Sequence, residues 1–225
     1  MEPESTGGVV RVRDGVTGAR VADELRSAIL HGAHTPGTRL RQEELAAQFG
    51  ASRVPVREAL RILQSEGLIT TVANTGAWIA RLSLDECVEL YQVRERIEPL
   101  LLRYSMPALD TEQIDRLTRL VEEMERVRDV EEFLELDRAF HLGSYAGADT
   151  GFLGPMVLRL WNTTQHYRRA FTRLLDLDGN RILHDEHHML VTAIRDQDSE
   201  EAERVLLGHI RRTRLQLARH PEVFA

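Results

Sequence analysis

The sequence predicts a mainly α fold in two parts: a winged helix-turn-helix of three helices with a small β-hairpin, then an all-α bundle of six antiparallel helices. Three observations predict it. Between Pro36 and Ile69, two short helical patterns flank a tight turn at Phe49-Gly50-Ala51. Strand formers and an Asn74-Thr75-Gly76 turn follow directly. From Leu84 to the end, the long stretches carry helical periodicity and none alternates as a strand would.

Residues 1 to about 16 lack periodicity, contain Gly7-Gly8 and read as a flexible tail whose Arg11 and Arg13 are solvated or touch a phosphate. A helix starts at Thr17, aligns Val21, Leu25, Ala28 and Ile29, and ends at Gly32. In the next helix Leu45, Ala46 and Phe49 share a face. In the one after it, Val56, Ala59, Leu60 and Leu63 do. Ser52 is placed to cap that third helix, Pro55 is tolerated in its first turn, and Gly67 stops it. Its exposed side carries Arg53, Arg57 and Arg61, as a helix that enters the major groove requires. The hairpin that follows forms a wing.

These signals divide the chain into a tail (1–16), a winged helix-turn-helix (17–81) and a helical domain (82–225), with Ser83 as N-cap at the joint. The helical stretches run about 84–105, 111–128, 130–146, 152–175, 180–197 and 199–219. They break at Met106-Pro107, Arg128-Asp129, Gly147 to Gly151, Asp176-Leu177-Asp178-Gly179 and Asp198-Ser199. Such short breaks favour antiparallel neighbours. Pro99 lies inside the first of these helices and is a candidate kink.

Apolar residues at 42% and charged ones at 29% fit an ordinary globular protein. No apolar run reaches a membrane span, and the start lacks a signal peptide, so the expected location is the cytoplasm, with no membrane partner. The single cysteine, Cys87, excludes an intrachain disulfide and reads as a packing residue. A net charge of −7 argues at first against nucleic acid. Residues 1–80, however, hold 9 Arg and 9 acids, so the first part is neutral and its helix arginines can bind phosphates locally.

The helical part carries a polar constellation on apolar faces. Asp137 and His141 are four apart, with Phe133, Leu134 and Phe140. His187 falls at the centre of the stripe Leu183, Leu190, Val191 and Ile194. His209 does so in the stripe Ala202, Val205, Leu206 and Thr213. Singly, each is an ordinary hydrogen-bonded core residue. Together, one carboxylate and three imidazoles are a first shell for a divalent transition metal, zinc foremost, with nickel and manganese as alternatives. His184 and His188 form an i,i+4 pair off the apolar face, a secondary ligand option. Arg94 borders the face of Val93, Ile97, Leu100 and Leu101, where it either pairs with Glu98 or binds the carboxylate of an effector. Arg168 and Arg169 read as a solvated face.

Residues 17–80 resemble the DNA-binding domain of GntR-type bacterial transcription regulators. The resemblance is carried by Leu25, Ile29, Gly32, Pro36 to Leu40, Glu44-Leu45-Ala46, Phe49-Gly50, Ser52 to Leu60, Leu63, Gly67-Leu68-Ile69 and Gly76. The rest is similar to the helical FCD-type effector domain of the FadR subfamily, through Arg94 to Glu98, Asp137, Phe140-His141, Glu186-His187, Ala193-Ile194 and His209-Ile210. Six helices fit its VanR-like branch. The resemblance implies a homodimeric, usually repressive regulator of a palindromic operator, modulated by a small organic acid. It implies metal ligation by Asp137, His141, His187 and His209. It implies DNA contacts at Ser52, Arg53, Val54, Pro55, Arg57 and Gly76. The wing departs from the family pattern: Asn74-Thr75 stands beside Gly76 where relatives often place Arg or His.

Three rival functions start from the same residues. A metal-sensing regulator would respond to the ion alone. A metal-dependent hydrolase would need a general base or nucleophile, which the sequence does not offer. A protein–protein module built on the winged fold would be indifferent to loss of Arg53.

Overall fold

A computed structural model of the chain describes residues 10–72, 75–174 and 181–224. It divides into two compact units, one ending at Arg81 and one beginning at Leu82.

In the first unit, α1 (Val10–Leu30), α2 (Gln42–Phe49) and α3 (Arg53–Ser65) pack with a three-stranded antiparallel sheet. The sheet is formed by β1 (Arg39–Leu40), β2 (Ile69–Val72) and β3 (Gly76–Ile79), in the order β1-β3-β2. Val21, Leu25, Leu45, Val56, Ala59, Leu60 and Leu63 form its core, as the periodicity requires. Two features differ from the sequence reading. Helix α1 already starts at Val10, so residues 10–16 continue the helix instead of forming a tail. Residues 1–9 lie outside the described residues, as does Asn74 of the hairpin turn. The strand β1 adds an edge to the expected hairpin, pairing Arg39 with Trp78 and Leu40 with Ala77. Two residues are too short to show alternation, so β1 leaves no periodic signal.

Ser52 occupies the N-cap of α3 with extended backbone, but its side chain makes no capping bond. Pro55 removes one of the two donors that side chain could use. An N-cap oxygen accepts from the N–H of the second or third helical residue, and the third here is a proline without one. The turn before α3 is closed by Gly50, whose φ of 58° is a left-handed conformation that glycine tolerates best. Arg26 of α1 clamps the end of α3 through two bonds of 2.7 Å to the Glu66 carboxylate.

The second unit holds six helices: α4 (Leu84–Ser105), α5 (Thr111–Arg126), α6 (Val130–Ser144), α7 (Leu153–Thr172), α8 (Arg181–Arg195) and α9 (Ser199–Leu217). The chain break expected at Asp176 to Gly179 lies outside the described residues. Ser83 and Glu86 close a capping box at the start of α4, and Asp110 and Gln113 do the same for α5. Helix α4 runs through Pro99 without interruption. Helix α7 is buried around most of its circumference, including Trp161, Thr164, Tyr167 and Phe171. Cys87 is buried in the core, where desolvation pushes its thiol up to about 12.

Candidate functional site

Faces of three helices converge inside the second unit. Helix α6 supplies Asp137 and His141, α8 His187 and α9 His209, all buried. One ligand atom from each lies within 4.8 Å of the others. His187 Nε2 is 3.3 Å from Asp137 Oδ1 and 3.4 Å from His141 Nε2. His141 Nε2 is 3.6 Å from the same Oδ1. Ligands about 2.1 Å from a tetrahedral ion stand roughly 3.4 Å apart, close to the spacing of Asp137, His141 and His187.

The donor chemistry fits as well. Burial lowers all three imidazoles, His141 to about 4 and the other two well below the usual value, so each presents a neutral ring. His209 Nδ1 lies 3.1 Å from Glu186 Oε2. A carboxylate only accepts, so Nδ1 carries the hydrogen and Nε2 keeps its lone pair for an ion. Phe140 sets the rings of His141 and His187 edge-on, with centroids 5.2 Å from each. The alternative pair is not brought together: His188 binds Glu125 at 2.8 Å, and His184 lies edge-to-face with Phe133.

Beside this cluster opens a cavity of about 400 Å³, lined by Tyr91, Arg94, Asp137, His141, Trp161, Arg168, Glu186, His209 and Arg212 among others. Arg94 makes the expected pair with Glu98 and also faces the cavity. Its Nε donates to Glu98 at 2.5 Å and its Nη1 to Thr164 at 3.2 Å, and it also lines the cavity. Its guanidinium sits between the rings of Tyr91 and Trp161, at 4.6 and 4.7 Å. Glu98 is fully buried and accepts from three donors: Arg94, the Tyr145 hydroxyl at 2.8 Å and Trp161 Nε1 at 3.0 Å. Burial alone would raise the Glu98 carboxyl, but Arg94 and Tyr145 hold it below the usual range.

The sequence reading of Arg168 and Arg169 as a solvated face is overturned. Both are buried, because α7 packs on most sides, and each meets a carboxylate. Arg168 donates to Asp137 Oδ2, and Arg169 to Glu131 at 2.7 and 2.9 Å. Asp137 thus turns one oxygen to the histidines and the other to Arg168. Burial lowers the Arg168 guanidinium to about 10. Sequence pattern could have flagged this pair only through α7's unusual share of apolar positions on every face.

On the first unit, Ser52, Arg53, Val54 and Arg57 are exposed at the start of α3. Pro55 is the exception: it is buried in the first turn of the helix. Arg53 pairs with Glu43 at 3.0 Å, both exposed, a contact weak enough for a phosphate to displace. Gly76 has φ 141° at the wing, and a Cβ there would meet the Arg39 guanidinium at 3.4 Å. Arg39 donates to the Thr75 carbonyl at 2.7 Å. Strand β1 thus places the Arg39 guanidinium beside Gly76, a neighbour the sequence pattern did not indicate.

Known proteins resemble the chain along most of its length. The FCD domain family matches residues 89–212, and bacterial regulatory proteins of the gntR family match residues 17–79. The gluconate operon transcriptional repressor of Bacillus licheniformis is 33% identical over 82% of this chain and 78% of its own. A GntR family member from Pseudomonas syringae pv. tomato is 30% identical, with a TM-score of 0.58, covering 92% of this chain and 86% of its own. McbR/YncC of E. coli shares the fold at 22% identity, with a TM-score of 0.78 and coverage of 91% and 98%. The chain therefore belongs to the gntR family of bacterial regulatory proteins: it is a DNA-binding transcription regulator carrying an FCD domain, and not an enzyme.

Proposed function

We propose that this regulator is a cytoplasmic repressor that binds a palindromic operator as a homodimer, with affinity set by a small carboxylic acid held at a metal-containing cavity. The observation that carries this reading is the buried Asp137, His141, His187 and His209 cluster, three of whose members, Asp137, His141 and His209, line a cavity of about 400 Å³. A cavity of that size suits an organic ligand and exceeds what an ion alone requires. A divalent transition metal, zinc first, would offer open positions to a ligand carboxylate there. Arg94 supplies a buried positive charge facing the same space. The relative from B. licheniformis is named as repressor of a gluconate operon, and gluconate is such an acid. The six-helix second unit supports placement in the VanR-like branch. None of the described helices is long and apolar enough to cross a membrane.

On DNA, exposed Arg53 and Arg57 read guanine edges and phosphates, and Ser52, Val54 and Gly76 complete the contact surface. Arg53→Ala or Arg57→Ala is expected to weaken operator binding by about 1–3 kcal/mol each in fluorescence anisotropy, without changing the fold by circular dichroism. Unchanged affinity in both variants would remove α3 from the interface.

An exposed apolar stripe supports the dimer. Val93, Leu100 and Tyr104 recur along α4, and Leu207 and Leu215 along the adjacent α9. Leu100→Glu is expected to halve the mass measured by light scattering and to lower operator affinity. A variant that stays dimeric would place the interface elsewhere.

Footprinting on the protein's own promoter region, repeated with a panel of carboxylic acids, tests the whole reading. At least one acid should change the protection; if none does, the acid response is wrong. A change caused by metal alone would instead favour a metal sensor.

A further inference from the structure

We propose that the Tyr91 hydroxyl is the effector's hydrogen-bond donor on the cavity wall, selecting acids that carry a second oxygen function beyond the metal-bound carboxylate. The proposal rests on the reading that an acid occupies this cavity.

Tyr91 stands on α4, three residues before Arg94, and is 1% exposed. It lines the cavity. Among the described residues that line it, only Tyr91 and His141 keep a buried polar atom without a hydrogen-bond partner. The His141 atom is Nδ1, on the ring edge opposite the Nε2 that meets Asp137 and His187, and the phenol oxygen is the one hydroxyl of the two. Buried hydroxyls are nearly always bonded, because an unmatched one loses its bonds to water and gains nothing.

The surroundings state what kind of partner is missing. The nearest charged neighbours on the wall are Arg94, whose guanidinium lies 4.6 Å from the Tyr91 ring centroid, and Arg168. A guanidinium only donates, so neither can take the phenol hydrogen. The nearby acceptors are already engaged: Glu98 by Arg94, Tyr145 and Trp161, and Asp137 Oδ2 by Arg168. Burial also pushes the phenol pKa up, so the group remains a neutral donor. A pocket wall with one unmatched phenol donor, and a guanidinium over its ring, calls for an oxygen acceptor. A hydroxy acid or a dicarboxylate brings one; a plain alkyl acid of equal length does not.

Tyr91→Phe removes only the hydroxyl. In the ligand-free protein it should leave the melting temperature unchanged or raised, because an unmatched buried group disappears. Zinc affinity should not change. Isothermal titration of the zinc-loaded dimer with gluconate, citrate, malate and hexanoate then reads the ligand site. The wild type is expected to bind at least one of the oxygen-rich acids about 10-fold or more tighter than hexanoate, and Tyr91→Phe to lose roughly 10- to 100-fold for that acid. Hexanoate binding should be the same in both proteins. Equal affinity of the two proteins for the preferred acid overturns the role of Tyr91 while leaving the cavity's acid reading in place. So does a lower melting temperature with an equal loss for every acid, which is a structural role, and so does a wild-type preference for hexanoate. If no acid binds the wild type, the acid reading itself falls and this proposal with it.

Discussion

Zinc added to the metal-free protein is expected to raise its unfolding temperature by roughly 10 °C when free zinc is about 1,000 times its dissociation constant. That ratio corresponds to about 4 kcal/mol of linkage, and a domain of this size shifts a few degrees per kcal/mol. His187→Ala should abolish the shift. His187 Nε2 lies 3.3 Å from Asp137 and 3.4 Å from His141, so its loss opens the cluster at its centre. His188→Ala is the control: that ring faces Glu125, and its loss should leave the shift intact. A zinc response that survives His187→Ala and vanishes with His188→Ala would move the site to the outer pair. Without metal, the neutral histidines add a pH dependence. The unfolded chain takes up protons near pH 6.5 that the folded His141 refuses until about pH 4, so stability falls as pH drops through that window.

Glu98→Gln is expected to destabilise the protein by about 3–5 kcal/mol in urea unfolding. Glu98 is fully buried and gathers donors from three places: Arg94 on α4, Tyr145 after α6 and Trp161 on α7. Glutamine keeps an acceptor for Tyr145 and Trp161 but leaves the Arg94 guanidinium uncompensated in the core. If the variant is as stable as wild type, the ion pair is not what holds these helices. Because Arg94 lines the cavity, its release should also change acid affinity, a second readout independent of unfolding.

Much of this organisation is legible in the sequence because it is periodic. Val56, Ala59, Leu60 and Leu63 mark the buried face of α3 at helical spacing, and all four are in the core. His187 and His209 stand out as polar residues at the centres of apolar stripes, and both are buried beside Asp137 and His141. What is not periodic is not legible. The strand β1 is two residues long. Arg168 reads as exposed because an arginine on a long helix usually is; only the packing of α7 on most sides reverses that. At Ser52 the helix-start signal is right about the position but not about the bond: Pro55 three residues on takes away one of the two N–H groups a cap could use, and the hydroxyl is unengaged. Tyr91 carries no pattern at all: its significance lies in a missing partner, which only three-dimensional neighbours reveal.

In the proposed regulator, the cavity in the second unit governs the affinity of α3 for DNA through a metal-held acid. Such coupling between sites typically changes affinity by about 5- to 150-fold. The most direct test is operator affinity by fluorescence anisotropy, with and without the acid identified by footprinting, for metal-loaded, chelator-stripped and Asp137→Ala protein. An acid-dependent change in that range is expected for the loaded protein and none for the other two. An equal acid response in all three would contradict it.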